Sequence, residues 1–178
     1  MVMRILNYRD FSVYYFGEKL PLWILGTIVD IETRSLNSET QKLSALGLVR
    51  GNRLIAYVLR LENERGAFLA WARKKVLKCP RPFISYNKKF EEDWLGIDFD
   101  VELQPRDMLP KRKAIKFYHI ENTPNRMMIS ASAREIMYHL ICDLLEELAL
   151  YASLSHLYRE KQFKVYYIDE EFSKLEED

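Results

Sequence analysis

Asp30-Ile31-Glu32-Thr33 places two carboxylates one residue apart, directly after the apolar run Leu22 to Val29. Alternate side chains of an extended strand share a face, so Asp30 and Glu32 point the same way, roughly 6–7 Å apart along the backbone. Two charges that close repel unless something positive lies between them, and hard divalent cations are the usual partners of clustered carboxylates. Asp-x-Glu at a strand end therefore suggests a hard-metal site. The ordinary alternative is a solvated strand end, so the rest of the chain has to weigh in.

Three further groups of residues follow in order. Asn87 to Leu95 reads Asn-Lys-Lys-Phe-Glu-Glu-Asp-Trp-Leu, just after a candidate strand and opening a candidate helix. Lys111, Arg112, Lys113 and Lys116 form a basic stretch. His139 and Asp143 stand four apart on a long helical pattern, which puts them on one face, opposite a leucine stripe. Each has an ordinary reading as well. His139 on a polar helix face is commonly just solvated, a lysine-arginine run is commonly a soluble loop, and Trp94 and Leu95 belong in a core under any function. Tyr14, Tyr15 and Phe16 suit either a sheet edge or a dimer contact.

The elements that must position these groups follow from periodicity. Leu22 to Val29 is too short to cross a bilayer, which takes about 20 apolar residues, and suits a strand covered on both faces. After a polar loop, Arg34 to Gln41, strands are expected at Lys42 to Val49 and Leu54 to Leu61, with Arg50-Gly51-Asn52-Arg53 as a hairpin turn. Glu62 to Lys78 has a helical apolar face (Phe68, Leu69, Ala72, Val76, Leu77), ended by Pro80 and Pro82. A short strand at Phe83 to Tyr86, a helix from Lys88 to Trp94, and strands at Phe99 to Leu103 and Ile115 to His119 come next. The longest helix is expected over Ser132 to His156, with Ser132 and Glu135 as a capping box and Met137, Ile141, Leu144, Leu145 and Leu148 as its stripe. Phe163 to Ile168 suits a last strand. This order implies an α/β sheet with a mixed edge.

Composition sets the frame. A chain of 178 residues, 48% hydrophobic and 30% charged, fits one soluble domain with a substantial core. Residues 1–21 read as an N-terminal extension and 169–178 as a solvated acidic tail. Two cysteines without C-x-x-C spacing indicate neither a disulfide framework nor a zinc site, and Met1 to Tyr15 lacks the apolar segment of a signal peptide. An intracellular, cytoplasmic protein without a membrane partner is the expectation. A net charge of +1 excludes little, because local patches govern nucleic-acid binding.

Taken together, residues 24 to 150 resemble the DEDD, or DnaQ-like, 3′–5′ exonucleases on the ribonuclease H-like fold. The family's first motif, Asp-x-Glu-Thr-x-Gly-Leu, appears as Asp30 to Leu36 with Ser35 in place of glycine. Its second, Asn-x-x-Phe-Asp-x-x-Phe-Leu, matches Asn87 to Leu95 at every spacing, with Glu91 for aspartate and Trp94 for phenylalanine. Its third is an aspartate on a late helix, preceded by tyrosine at three intervening residues or histidine at four. Here His139 stands at the tyrosine spacing before Asp143 and Tyr138 at the histidine spacing, so either is open as the base.

The resemblance implies a ribonuclease H-like mixed β-sheet flanked by α-helices. It also implies a two-metal site for Mg²⁺ or Mn²⁺ built from Asp30, Glu32, Glu91 and Asp143, hydrolysing phosphodiester bonds of single-stranded DNA or RNA. His139 would be the base, while Thr33, Leu36 and Asn87 would contact the strand and Lys111, Arg112, Lys113 and Lys116 its phosphates. The longer Glu91 and the mixed third motif leave a second reading, a ribonuclease H-like module that binds nucleic acid or protein without turnover. A ribonuclease H-like endonuclease is a third. A free enzyme, a homodimer and a subunit of a repair or processing complex are all compatible with the chain.

Overall fold

A computed structural model describes residues 2–34, 42–103 and 131–158. Its elements run β1 (Arg4–Asn7), β2 (Ser12–Thr33), β3 (Leu43–Leu59), a 3-10 turn (Glu62–Glu64), α1 (Arg65–Leu77), β4 (Phe83–Ser85), α2 (Lys88–Leu95), β5 (Val101–Glu102) and α3 (Ala133–Tyr158). The expected α/β class holds. The described strands form one mixed, five-stranded sheet, antiparallel through β1, β2 and β3 and parallel from β2 to β4 and from β4 to β5. Helices flank it: α3 packs on one face with Ile28, Ala45 and Val49, and α1 and α2 on the other with Val29, Ile31 and Leu46. The alternation of Ile28, Val29 and Ile31 between two cores explains why this stretch has no polar face.

The hairpin expected at Arg50 to Arg53 is absent, because those residues lie inside β3. β3 pairs with β2 from Val13↔Leu59 to Thr33↔Leu43, and the register jumps from Lys19↔Arg53 to Ile24↔Gly51 and then to Thr27↔Arg50. Extra residues on one strand of a pair make bulges, which bend and twist the ribbon without reversing it. The reversal instead follows Thr33, where the Arg34 N–H donates to the Lys42 carbonyl at 2.9 Å. Residues 1–21, expected as an extension, hold β1 and the first half of β2. Tyr14 and Phe16 pack toward α3, and Tyr15 toward the opposite core.

Gly26, with φ at 87°, sits where β2 leaves its bulges. A Cβ there would lie 2.4 Å from the Pro82 carbonyl oxygen, which accepts the Thr27 N–H at 2.9 Å. Only glycine fits that approach, and from Thr27 onward β2 pairs with β4. Beyond it, α1 buries Phe68, Leu69, Ala72 and Val76, while Leu77, grouped with them by spacing, faces solvent. Trp94 and Leu95 are core residues, as expected.

α3 begins with the expected capping box: the Ser132 N–H donates to Glu135 Oε2 at 2.6 Å, and the Glu135 N–H to Ser132 Oγ at 3.3 Å. Its apolar face buries Met137, Leu140, Leu144 and Leu148, each contributing about 1.5–3 kcal/mol. Ile141 and Leu145 flank that face, partly buried. Cys79 and Cys142 are free and buried. No described helix is long and apolar enough to cross a membrane. The strands expected at Ile115 to His119 and Phe163 to Ile168 fall outside the described residues.

Candidate metal centre

Asp30 lies on β2, between β3 on one side and β4 on the other, and on the face that α3 covers. α3 is anchored along β2 at Tyr151, whose hydroxyl donates to the Leu25 carbonyl at 3.2 Å. That placement brings His139, Asp143 and Glu147, one helical turn apart in succession, over the acid pair of β2. From the far side α2 contributes Glu91. Asn87, at the N-cap of α2, accepts the Phe90 N–H at 2.9 Å through its backbone carbonyl, which helps fix the start of that helix.

The result is a pocket of about 240 Å³ lined by Asp30, Tyr86, Asn87, Phe90, Glu91, His139, Asp143, Glu146 and Glu147. At its edge His139 Nε2 lies 3.5 Å from Glu32 Oε1 and 3.4 Å from Asp143 Oδ2. One ligand atom each from Glu32, His139 and Asp143 fall within 4.8 Å of one another. Among the described residues no lysine or arginine lines the pocket.

Burial makes this arrangement costly. Glu91 is 3% exposed and Glu147 4%. Asp30 Oδ2, Glu91 Oε2 and Glu147 Oε2 are buried with no hydrogen-bond partner among the described residues. A buried carboxylate without a partner loses its hydration for nothing, so the proton is held instead. Burial, then the charges of Glu147, Glu32, Asp143 and Glu91, holds the Asp30 carboxyl well above its usual range. Burial and the charges of Asp143 and Glu91 do the same to Glu32. For Glu147 burial again leads, followed by Glu91 and Asp143, with the Tyr86 N–H bond to its carboxylate pulling the other way. Burial pushes Glu91 up to about 8.

The residues read from the sequence as a metal site, Asp30, Glu32, Glu91 and Asp143, are thus brought together with His139, and Asn87 lines the same pocket. His139 does not sit on a solvated face opposite the leucines; it turns toward Glu32. Tyr138, the other candidate base, is 47% exposed and lines a different cavity. Thr33 ends β2 opposite Leu43, which belongs to the other core, and does not line the pocket. Leu36, Lys111, Arg112, Lys113 and Lys116 lie outside the described residues. Sequence reasoning missed Glu147 and Glu146. The signal for Glu147 was its spacing, four after Asp143 and eight after His139; nothing in that spacing announces that the acid is buried.

Oxygen donors dominate, the one nitrogen donor is an imidazole, and buried oxygens from three elements lack partners. That donor set fits hard divalent cations better than soft ones, which prefer thiolates. Among the described residues Glu32, His139 and Asp143 have donor atoms close enough together to share an ion, and Asp30, Glu91 and Glu147 line the adjoining pocket. The fold and pocket define a mixed α/β protein with a buried acidic centre between its sheet and two helices. No family model matches the chain, and no curated protein or solved structure matches it either.

Proposed function

We propose that this pocket holds two divalent cations, Mg²⁺ or Mn²⁺, and that the protein is a ribonuclease H-like 3′–5′ exonuclease of single-stranded DNA or RNA. The observation that carries the reading is the set of three buried, unpartnered carboxylate oxygens, Asp30 Oδ2, Glu91 Oε2 and Glu147 Oε2, beside the Glu32–His139–Asp143 cluster. A cation would displace the protons these buried acids otherwise hold and give their unpartnered oxygens a ligand. The motif order adds support: the acid pair lies on a strand that is parallel to β4, the second motif opens the helix after β4, and the third lies on the late helix.

Asp30, on the pocket wall, would help to hold the ions. Glu32 and Asp143 would hold one of them, and Glu91 with Glu147 the other. Bound there, the pair of ions would polarise the phosphoryl group and activate water at neutral pH. His139 Nε2, 3.5 Å from Glu32 Oε1 and 3.4 Å from Asp143 Oδ2, would take the proton from the attacking water. Asn87 and Phe90, on the pocket wall, would bound the terminal nucleotide. The longer Glu91 weighs less against turnover because its carboxyl reaches the pocket from α2.

A crystal soaked in Mn²⁺ and measured at the manganese absorption edge tests this reading. Two anomalous peaks among Asp30, Glu32, Glu91, Asp143 and Glu147 are expected. An acidic pocket without a peak, in crystals that diffract well, would overturn it.

A further inference from the structure

A second cavity, of about 670 Å³, opens where α3 meets the N-terminal half of the ribbon. Its volume falls within the range of about 300–1,000 Å³ typical of ligand clefts. Arg4, Tyr15, Phe16, Glu18, Arg53 and Tyr138 are among its lining residues. Tyr138 and His139, consecutive on α3, line one cavity each, so the two cavities sit on neighbouring flanks of the same helical turn.

We propose that this cavity seats the single strand of nucleic acid leading away from the acidic pocket. The proposal rests on the nuclease reading and names where that substrate runs. Charge selects the occupant. Arg4 and Arg53 are exposed and have no ion-pair partner among the described residues, and the described lining sets these two cations against one acid, Glu18. The aromatic rings supply the rest: Tyr138 is the most exposed of them, and bases of any identity stack on such faces. Guanidiniums beside aromatic rings suit a polyanion that carries planar groups, and it is the regular pairing of β2 with both neighbours, Arg4 opposite Tyr15 and Arg53 opposite Lys19, that brings the two arginines to one cavity.

The test is binding of a 5′-fluorescein single-stranded oligonucleotide of about 12 residues, in Ca²⁺, by anisotropy across a salt series. Two lost phosphate contacts in the Arg4→Ala/Arg53→Ala double variant should flatten the slope of log K against log salt by about 1.4. Tyr138→Ala should weaken binding roughly 5- to 150-fold. Arg9→Ala, whose side chain is 95% exposed and lines neither cavity, should do neither. Circular-dichroism melts would establish that each variant is folded. A slope unchanged by the double variant, or a wild type that fails to bind, overturns the proposal. Cleavage by the wild type with an unchanged slope removes this groove and keeps the nuclease. A flattened slope with no cleavage in any metal keeps the groove and removes the nuclease.

Discussion

Asp30 and Gly47 stand opposite each other on β2 and β3, and the missing side chain of Gly47 is what lets α3 settle beside the acid. A Cβ on Gly47 would lie 2.7 Å from Leu144 Cδ1 and 2.8 Å from Leu140 Cδ1. These leucines follow His139 and Asp143 directly on α3. The gap between sheet and helix at Gly47 therefore sets how near the row His139, Asp143 and Glu147 comes to Asp30.

Gly47→Ala is expected to destabilise the protein by about 1–3 kcal/mol through overpacking, and to weaken metal binding by lifting α3. Gly66, on the first turn of α1, would bring its new Cβ near nothing within 4 Å. Gly66→Ala should instead stabilise by about 0.4–1 kcal/mol, through the unfolded chain. Urea denaturation of both variants checks the contrast. Equal effects would mean that the helix-to-sheet gap at Gly47 is not tight.

Without divalent metal, stability should fall as pH rises. Glu91 holds its proton in the folded state up to about 8, against an ordinary value of 4.5, and Asp30, Glu32 and Glu147 are shifted the same way. The folded state therefore binds more protons than the unfolded one between those values. The slope of unfolding free energy with pH is negative there. For Glu91 the benefit is full below 4.5 and gone above 8. Melting in EDTA from acid to mildly alkaline pH should show the decline, and Glu91→Gln should reduce it. A flat curve would mean that these acids are not buried together.

Mn²⁺ at 100 times its dissociation constant should stabilise the protein by about 2.7 kcal/mol, and the effect should grow with pH as protons leave the carboxylates. Asp30→Asn should remove most of that gain while raising metal-free stability at alkaline pH, since one buried charge is gone. Thermal melts with and without metal measure both. A full metal response in Asp30→Asn would remove Asp30 from the centre.

His139→Ala should lower the cleavage rate by about 10²–10⁴-fold with little change in oligonucleotide affinity, as for a base acting in the chemical step. Tyr138→Phe should leave the chemical rate near wild type, because Tyr138 lines the other cavity. Single-turnover kinetics separate the two. The reverse result would make Tyr138 the base.

Much of this was legible in the chain because the signals are local. Asp30 and Glu32 announce themselves by strand alternation, and Ser132 with Glu135 by capping spacing. The Glu91 and Asp143 positions came from motif spacing rather than from any property of the acids themselves. The turn at Arg50 to Arg53 was misread for the opposite reason. Gly51-Asn52 looks like a reversal locally, but what makes it a bend is the run of extra residues between Lys19 and Thr27 on the partner strand. Glu147 stayed hidden because an acid on a helix looks solvated until the sheet, α2 and the Tyr86 N–H close around it. The arginine cavity was equally invisible, being assembled from β1, β2, β3 and α3.

Digestion of a 5′-labelled single-stranded oligonucleotide in Mn²⁺, resolved on a sequencing gel, tests the nuclease reading most directly. A ladder shortening stepwise from the 3′ end is expected, abolished by EDTA and by Asp30→Asn and Asp143→Ala, each checked to be folded. An intact oligonucleotide with the wild type in both Mn²⁺ and Mg²⁺, or a ladder that survives Asp30→Asn, would contradict it.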